Sequence, residues 1–303
     1  MKVYIMVIIG NEGILISVIW DNICRFICVV IGLILLSAFV GVFMNGLQLD
    51  FNSYIDIVLL IIKSLILPQT IEFTGPTGFE YSIFTNFWDS YLYSAYIFLA
   101  ALFLSIVLGI FVAYLTTLLP KKINLFTIRT ASLLESLPDL FIIIVIQFSV
   151  LFYFKQTGIQ LFSIVGTAQN RSYILPTVAL TLIPSLMIYK VVLFLVNEEL
   201  KKSYVQLAKS IGFNKSQVFF IHVLRNITPS IILQSKSVII ILLSSMVIFE
   251  KLFNINGIFT FLITYPEPEI IAFTLIMIYL PIFIVNTSLI EYIHRKTGQR
   301  LEW

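Results

Sequence analysis

Residues 91–119 read YLYSAYIFLAALFLSIVLGIFVAYLTTLL, and this run contains no charged residue. At about 1.5 Å per residue, a helix of this length crosses the roughly 30 Å hydrocarbon core of a bilayer with residues to spare. Pro120, Lys121 and Lys122 follow directly and end the apolar stretch. The run therefore predicts a membrane-spanning helix.

The composition extends this prediction to the whole chain. Apolar residues make up 59% of the 303 residues and charged residues only 12%, and the mean hydropathy is +1.01. Soluble domains carry about 25% charged residues, so the excess apolar surface here needs lipid or other helices to cover it. We therefore predict an all-α, polytopic membrane helix bundle.

Further apolar runs long enough to span the membrane predict about six transmembrane helices in total. Apart from residues 91–119, the predicted spans cover residues 23–44, 133–154, 174–196, 231–249 and 270–290.

The predicted spans divide the chain into three parts. Residues 1–22, interrupted by Asn11, Glu12 and Gly13, are predicted to form an N-terminal interfacial segment. Residues 23–90 are predicted to hold the first span and an external loop, and residues 91–303 the core. A shorter apolar run at residues 55–67 is predicted to be a packed or amphipathic helix on one membrane face.

The basic residues predict the orientation, because cytoplasmic loops carry the excess of Lys and Arg. With an internal N-terminus and six spans, all but four of the 19 Lys and Arg residues lie on or toward the cytoplasmic side. The four exceptions are Lys63, Lys155, Arg171 and Lys251. We therefore predict that both termini are cytoplasmic.

The loop at residues 197–231 is the longest charged stretch of the chain, and its pattern predicts two short helices. Ser203 with Gln206 fits a capping box at the start of a helix over residues 204–211. Gly212 fits the left-handed residue that ends such a helix.

Asn214 with Gln217 predicts the start of the second short helix. The first helix carries an apolar stripe, formed by Tyr204, Leu207, Ala208 and Ile211. Because a two-turn helix is not stable alone in water, it needs a surface to lie on. Lipid headgroups and a soluble partner protein both remain open as that surface.

At this point the sequence resembles a family. The loop contains Y-V-x-x-A-x-x-x-G from Tyr204 to Gly212, followed by H-x-x-R-N from His222, and the segment FEKLFNINGI begins at Phe249. These motifs resemble the cytoplasmic EAA loop and the segment after the fifth span in permease subunits of ATP-binding-cassette (ABC) importers. The form is closest to the dipeptide/oligopeptide/nickel branch. Gln206-Leu207-Ala208 stands where the general loop motif has Glu-Ala-Ala.

The resemblance implies that the loop is a coupling loop, which inserts its first helix into a cleft on a cytoplasmic ATPase subunit. Small residues would allow close backbone approach, apolar side chains would fill the cleft, and basic side chains would contact its rim. The implied ATPase-coupling residues are Tyr204, Leu207, Ala208, Lys209, Ile211, Gly212, His222 and Arg225.

The resemblance also implies the partners and the location. Beside the ATPase subunits these are a second permease subunit, with a paralogous heterodimer preferred, and an extracytoplasmic substrate-binding protein, in a bacterial inner membrane. Peptides are the first expected substrate, and nickel or another small polar solute is the second. The chain lacks the G-x-x-x-x-G-K-[ST] phosphate loop, so it is predicted to be a transport subunit and not an enzyme.

Three carboxylates are candidate gating residues. Glu135 and Asp139 lie at the cytoplasmic end of the predicted third span, and Glu250 lies at the outer end of the fifth. Charged groups at membrane depth are functional candidates by default. The alternative to gating for Glu250 is a structural role, in which it forms a local ion pair with Lys251.

Other functions find little support. Cys24 and Cys28 are the only cysteines, and His222 and His294, the only histidines, are far apart, so no metal site and no cofactor are predicted. A net charge of +3 does not indicate nucleic-acid binding. An ion-gradient-driven secondary transporter and a membrane scaffold remain as alternatives. The first would need matching broken helices in two halves, and the second would need no capped loop.

Overall fold

The computed structural model describes residues 2–44, 51–75, 78–163, 166 and 171–297. Within these residues the chain is almost entirely helical. The elements in chain order are α1 (Lys2–Met44), α2 (Phe51–Ile66), a 3-10 turn (Pro68–Thr70), β1 (Glu72–Thr74), β2 (Glu80–Ser82), α3 (Ile83–Leu118), α4 (Lys121–Glu135), α5 (Asp139–Thr157), α6 (Ile174–Glu199), α7 (Ser203–Ser210), α8 (Lys215–Gln217), a π-helical segment (Val218–Val223), α9 (Leu224–Leu252), α10 (Ile258–Thr264) and α11 (Pro268–Thr297).

Six described stretches are long and apolar enough to cross a membrane. They are Trp20–Phe43, Phe87–Leu118, Asp139–Thr157, Ile174–Glu199, Lys215–Leu252 and Pro268–Tyr292. The prediction of an all-α membrane bundle with about six spans is confirmed.

The first span belongs to a longer helix than the sequence predicted. Helix α1 runs without a break from Lys2 to Met44, so residues 2–22 continue directly into the apolar stretch. Asn11, Glu12 and Gly13 do not interrupt it. That residues 1–22 lie in the membrane interface stays a prediction, and residue 1 lies outside the described residues.

The predicted third span was wrong at its beginning. Leu133 and Glu135, expected to open it, end the 15-residue helix α4, and α5 begins only at Asp139. Pro138 separates the two helices, since proline disfavours a helical conformation in the residue before it. Its own ψ of 140° is extended. Helix α5 ends where Gly158 adopts a left-handed φ of 70°.

Residues 1–88 and 262–303 form the first of two compact units. In it α1 packs against α2 and α11, and α2 also contacts α11. The centre of this packing is Ala38, Ile61 and Ala272, which are fully buried. Alanine at two of these positions lets the helix backbones approach closely. The prediction of a packed helix near residues 55–67 therefore agrees with α2.

The same unit contains a small antiparallel hairpin that the sequence analysis did not predict. Strands β1 and β2 pair Phe73 with Tyr81, and the buried Phe73 ring lies 4.4 Å from that of Tyr265. Strands of three residues are too short to show an alternating pattern.

Residues 89–261 form the second unit. Its centre is α6, which contacts α4, α5 and, most extensively, α9. Fourteen residues of α6 are buried, whereas Ile143 is the only buried residue of α5, all of which is described. The helix at the centre is thus covered by protein, and α5 leaves most of its apolar side chains exposed.

Close approach between α3 and α6 depends on Gly109. A Cβ atom at this position would lie 2.6 Å from Cγ2 of Ile188 and 3.0 Å from the carbonyl oxygen of Ser185. By contrast, a Cβ atom at Gly32 of α1 would meet nothing within 4 Å.

We expect Gly109→Ala to destabilise the protein by about 1–3 kcal/mol, the usual cost of overpacking. The matched Gly32→Ala variant should leave stability unchanged or raise it by up to about 1 kcal/mol, because alanine favours the helix. Unfolding of the two purified variants in detergent would measure the difference. Equal stabilities would contradict the close packing of α3 against α6.

Candidate functional site

The loop between α6 and α9 has the helix–turn–helix form that the sequence predicted. Helix α7 is followed by a turn, the single-turn helix α8 and the π-helical segment, which runs into α9. Helix α7 begins and ends one residue earlier than expected, at Ser203 and Ser210.

The predicted capping box of Ser203 and Gln206 was wrong. The N-cap residue of α7 is Lys202, with an extended ψ of 147° and no side-chain cap hydrogen bond. Ser203 is already helical, so its hydroxyl stands one residue too late to cap. The Gln206 side chain instead donates its Nε2 to the Lys201 carbonyl at 3.2 Å.

The turn that ends α7 was predicted correctly. Gly212 has a φ of 104°, a left-handed conformation that costs glycine no steric strain. Phe213 N–H donates to the Ala208 carbonyl at 3.2 Å, and Gly212 N–H donates to that of Lys209 at 3.1 Å. These bonds satisfy carbonyls that the end of the helix leaves free.

The capping box at the start of α8 is also confirmed. The Gln217 backbone N–H donates to Asn214 Oδ1 at 2.8 Å, and the Asn214 backbone N–H donates to Gln217 Oε1 at 3.0 Å. The reciprocal pair fixes the direction in which the chain returns toward α9.

The predicted apolar stripe of α7 divides between two surfaces. Ala208 and its neighbour Val205 are buried within the protein, whereas Leu207 is 61% and Ile211 is 68% exposed. At 3.6 residues per turn the two pairs point about 110° apart. Ala208 therefore serves packing inside the chain, and Leu207 with Ile211 forms the free apolar face.

Tyr204 lies between these two faces and is half-buried. Its hydroxyl donates to Glu199 Oε1 at 2.5 Å and accepts from Asn226 Nδ2 at 2.8 Å. Burial, together with the Glu199 carboxylate, raises the pKa of Tyr204 to about 12. The hydroxyl is therefore protonated at neutral pH and remains a donor to Glu199.

The remaining predicted coupling residues lie on different surfaces. Lys209 and Arg225 are exposed, as expected for contacts at a rim. His222 lies in the π-helical segment with its ring against Phe213, the centroids 5.1 Å apart. Its Nε2 is buried, and no hydrogen-bond partner is found for it among the described residues.

A further attachment joins the start of α8 to α3. The hydroxyls of Tyr114 and Ser216 are hydrogen-bonded at 2.7 Å. The Tyr114 ring lies 5.0 Å from those of both Phe219 and Phe220. The loop is thus held to α3 as well as to α6 and α9.

The three candidate gating carboxylates have separate sets of partners. Glu135 of α4 forms an ion pair with Lys190 of α6 at 2.6 Å. Asp139 accepts a hydrogen bond from Ser245 at 2.5 Å, and both line a small cavity between α5, α6 and α9.

Glu250 is buried in a network that the sequence analysis did not find. Its Oε1 accepts from Ser94 Oγ at 2.5 Å, and its Oε2 accepts from the Thr260 backbone N–H at 2.6 Å. Ser94 Oγ also accepts from the Ile258 N–H at 2.8 Å. A side chain at Gly257 would overlap both Glu250 and Ser94.

The alternative role for Glu250, an ion pair with Lys251, is not found among the described residues, where Lys251 is exposed and Glu250 is 1% exposed. Adjacent helical residues point in different directions, so proximity in sequence did not bring these charges together. Glu250 instead holds the first turn of α10 and joins it to α3.

No hydrogen-bonding role was predicted for Glu199, Asn226, Ser94 or Thr260, because their bonds to Tyr204 or Glu250 form only in the tertiary structure. Glu199 is only five residues from Tyr204, but this spacing matches no helical contact. No group of three or more potential metal ligands occurs in the part of the chain that the structure describes.

A family model described as the binding-protein-dependent transport system inner membrane component matches residues 105–299. The chain belongs to this family. It is a multi-pass inner-membrane protein and the permease component of an ABC importer. The match begins within α3, extends past the end of α11 and includes the whole loop at residues 197–231. It does not favour an ion-gradient-driven transporter. No curated protein matches the chain.

For this permease we expect Glu250→Ala to be strongly destabilising, because it leaves the Ser94 hydroxyl and the Thr260 N–H buried without their acceptor. Each such group costs about 1–3 kcal/mol. Lys251→Ala, which removes the neighbouring charge, should change stability by less than about 0.5 kcal/mol. Thermal unfolding of both purified variants would provide the comparison. Equal losses of stability in the two variants would instead indicate an ion pair between Glu250 and Lys251.

Proposed function

We propose that this permease forms half of a translocation pathway for peptides or a similar small solute, and that its loop at residues 197–231 couples it to a separate cytoplasmic ATPase. The observation that carries the proposal is the free apolar face of α7. Leu207 and Ile211 are exposed on a short helix that the turn at Gly212, the capping box of α8 and the Tyr204 hydrogen bonds hold in place.

The chemistry of this face suits a cleft on a soluble protein. Two large aliphatic side chains on one helix face are the anchors of helix-in-groove recognition. The exposed Lys209 and Arg225 would set orientation at the rim more than affinity. Ala208 would contribute indirectly, because its small side chain lets α7 lie close to the protein beneath it.

The other partners follow from the family. The six spans would form one half of the pathway and a second permease subunit the other half, with a paralogous heterodimer preferred. A substrate-binding protein would dock on the outer loops, which include residues 45–90 and 155–173. Peptides are proposed from the likeness of the loop and of residues 249–258 to the dipeptide/oligopeptide/nickel branch.

Of the three gating candidates, Asp139 has the position that best supports the role. It lines a cavity at the start of α5 together with Ser245. Glu135 is held by its ion pair with Lys190, and Glu250 by its hydrogen bonds to the segment around α10. A change in the hydrogen-bond or ion-pair partners of these carboxylates would accompany opening and closing of the translocation pathway.

The cytoplasmic placement of the loop and of both termini can be tested by labelling. In a variant with Cys24 and Cys28 replaced by serine, Ser203→Cys should react with an impermeant maleimide only in inside-out vesicles, because the distribution of basic residues favours a cytoplasmic loop. Gln160→Cys is the matched external control and should react in intact cells. Labelling of the Ser203 position from outside would overturn the orientation.

Coupling can be tested with a charge on the exposed face of α7. We expect Leu207→Glu to reduce co-purification with the co-expressed ATPase subunits at least tenfold, together with transport. A carboxylate forced into an apolar cleft loses hydration without gaining a partner, and tenfold corresponds to about 1.4 kcal/mol.

Gln206→Glu is the matched control, since it makes the same charge change on the neighbouring exposed residue. It should leave ATPase capture and transport close to those of the wild type. If Leu207→Glu also leaves both unchanged, the coupling role of this face is wrong.

A further inference from the structure

The hydroxyl of Tyr204 joins three helices, α6, α7 and α9. Tyr204 is the second residue of α7, Glu199 is the last residue of α6 and Asn226 is the third residue of α9. The hydroxyl donates to the first partner and accepts from the second, at 2.5 and 2.8 Å. One atom thus connects α7 to the cytoplasmic ends of two spans.

Glu199 is buried, and both of its carboxylate oxygens have partners. The residue is 7% exposed, and its other oxygen, Oε2, is paired with Lys202 Nζ at 2.6 Å. A buried carboxylate is stable only when its oxygens are paired and hydrogen-bonded. Hydrogen bonds from a hydroxyl to a carboxylate are also among the stronger ones. The link from α7 to α6 is therefore expected to be stiff.

This geometry commits the hydroxyl of the half-buried Tyr204 to partners within the chain. Its hydroxyl is engaged within the chain, and the free apolar face of α7 is made by Leu207 and Ile211. The family resemblance implied that Tyr204 fills the ATPase cleft together with these two residues. The structure separates the roles.

We propose that Tyr204 is a positioning residue that makes displacement of α7 move α6 and α9 together, through its hydrogen bonds to Glu199 and Asn226. This inference rests on the proposed coupling to an ATPase. Leu207 and Ile211 bind the ATPase, and Tyr204 transmits the displacement of α7 to α6 and α9. Helix α6 is the centre of its unit and packs most extensively on α9, so these two spans are the ones whose movement would reshape the pathway.

The physical basis of this proposal is a rigid connection among α6, α7 and α9, which must move together. Coupling between distant sites is carried by packed side chains, hydrogen-bond networks and rigid elements. Without the hydroxyl, Val205 and Ala208 would still seat α7 by packing, but the polar link to the ends of α6 and α9 would be gone. Helix α7 could then follow the ATPase with less movement of the spans.

The test uses the complete transporter, reconstituted in liposomes with its ATPase subunits, its second permease subunit and its binding protein. Tyr204→Phe removes only the hydroxyl. We expect ATPase capture to stay within twofold of the wild type, while the number of ATP molecules hydrolysed per solute transported rises at least fivefold. Tyr153→Phe, which removes the hydroxyl of an exposed tyrosine on α5, is the matched control and should leave this ratio unchanged.

A second variant covers the case in which Tyr204→Phe fails to fold. Asn226→Ala keeps the bond between Tyr204 and Glu199 and removes the contacts of Asn226 with both residues, and it should raise the same ratio. In the double variant the effects should be less than additive, because both changes break one network.

The outcomes separate the two proposals. A wild-type permease that captures no ATPase would overturn the proposed function itself. Capture that is normal in the wild type and lost in Tyr204→Phe would place Tyr204 in the docking face and overturn its positioning role alone. An unchanged ratio in the folded variants, or a parallel fall in hydrolysis and transport, would also overturn it, since a purely structural defect lowers both together.

Discussion

The constraint on which the whole structure depends is that a lipid bilayer offers the backbone no hydrogen-bond partners. Every N–H and C=O group at membrane depth must be satisfied within the chain, and single segments achieve this only as helices. Six apolar helical stretches therefore dominate this permease. At the turn at Gly212 and the junction at Pro138, glycine and proline set an irregular local conformation between helices. The hydrogen-bonded and ion-paired carboxylates described above consequently lie mostly near helix ends.

The same constraint explains how the carboxylates are held. Glu135 has a lysine partner, Asp139 a serine hydroxyl, and Glu250 a serine hydroxyl with a backbone N–H. Groups in surroundings of low polarity are costly when unpaired and effective when paired. Glu250 in particular replaces the side-chain cap that α10 lacks at Gly257, and so fixes the segment that follows the fifth span.

In the loop at residues 197–231, side chains of one short helix lie on different surfaces because successive residues are rotated about the helix axis. Only about two turns of α7 are available, yet one side is buried in the chain, one is free, and Tyr204 between them is bonded to two neighbouring helices. A short helix cannot hold its position alone. Its stability therefore comes from the same contacts that would make it an effective coupling element.

The sequence by itself determined the helical class, the number of spans, the helix–turn–helix form of the loop, and both the Gly212 stop and the Asn214–Gln217 cap. These features depend on local composition and on spacings of three or four residues, which are readable along one chain. Only the tertiary structure decided which side of α7 is free, because Val205 and Leu207 are equally apolar and burial depends on what packs nearby. It also decided the partners of Glu199 and Glu250. Tyr204 and Asn226 are 22 residues apart, and Ser94 and Glu250 are 156, and no local pattern records contacts that folding alone creates.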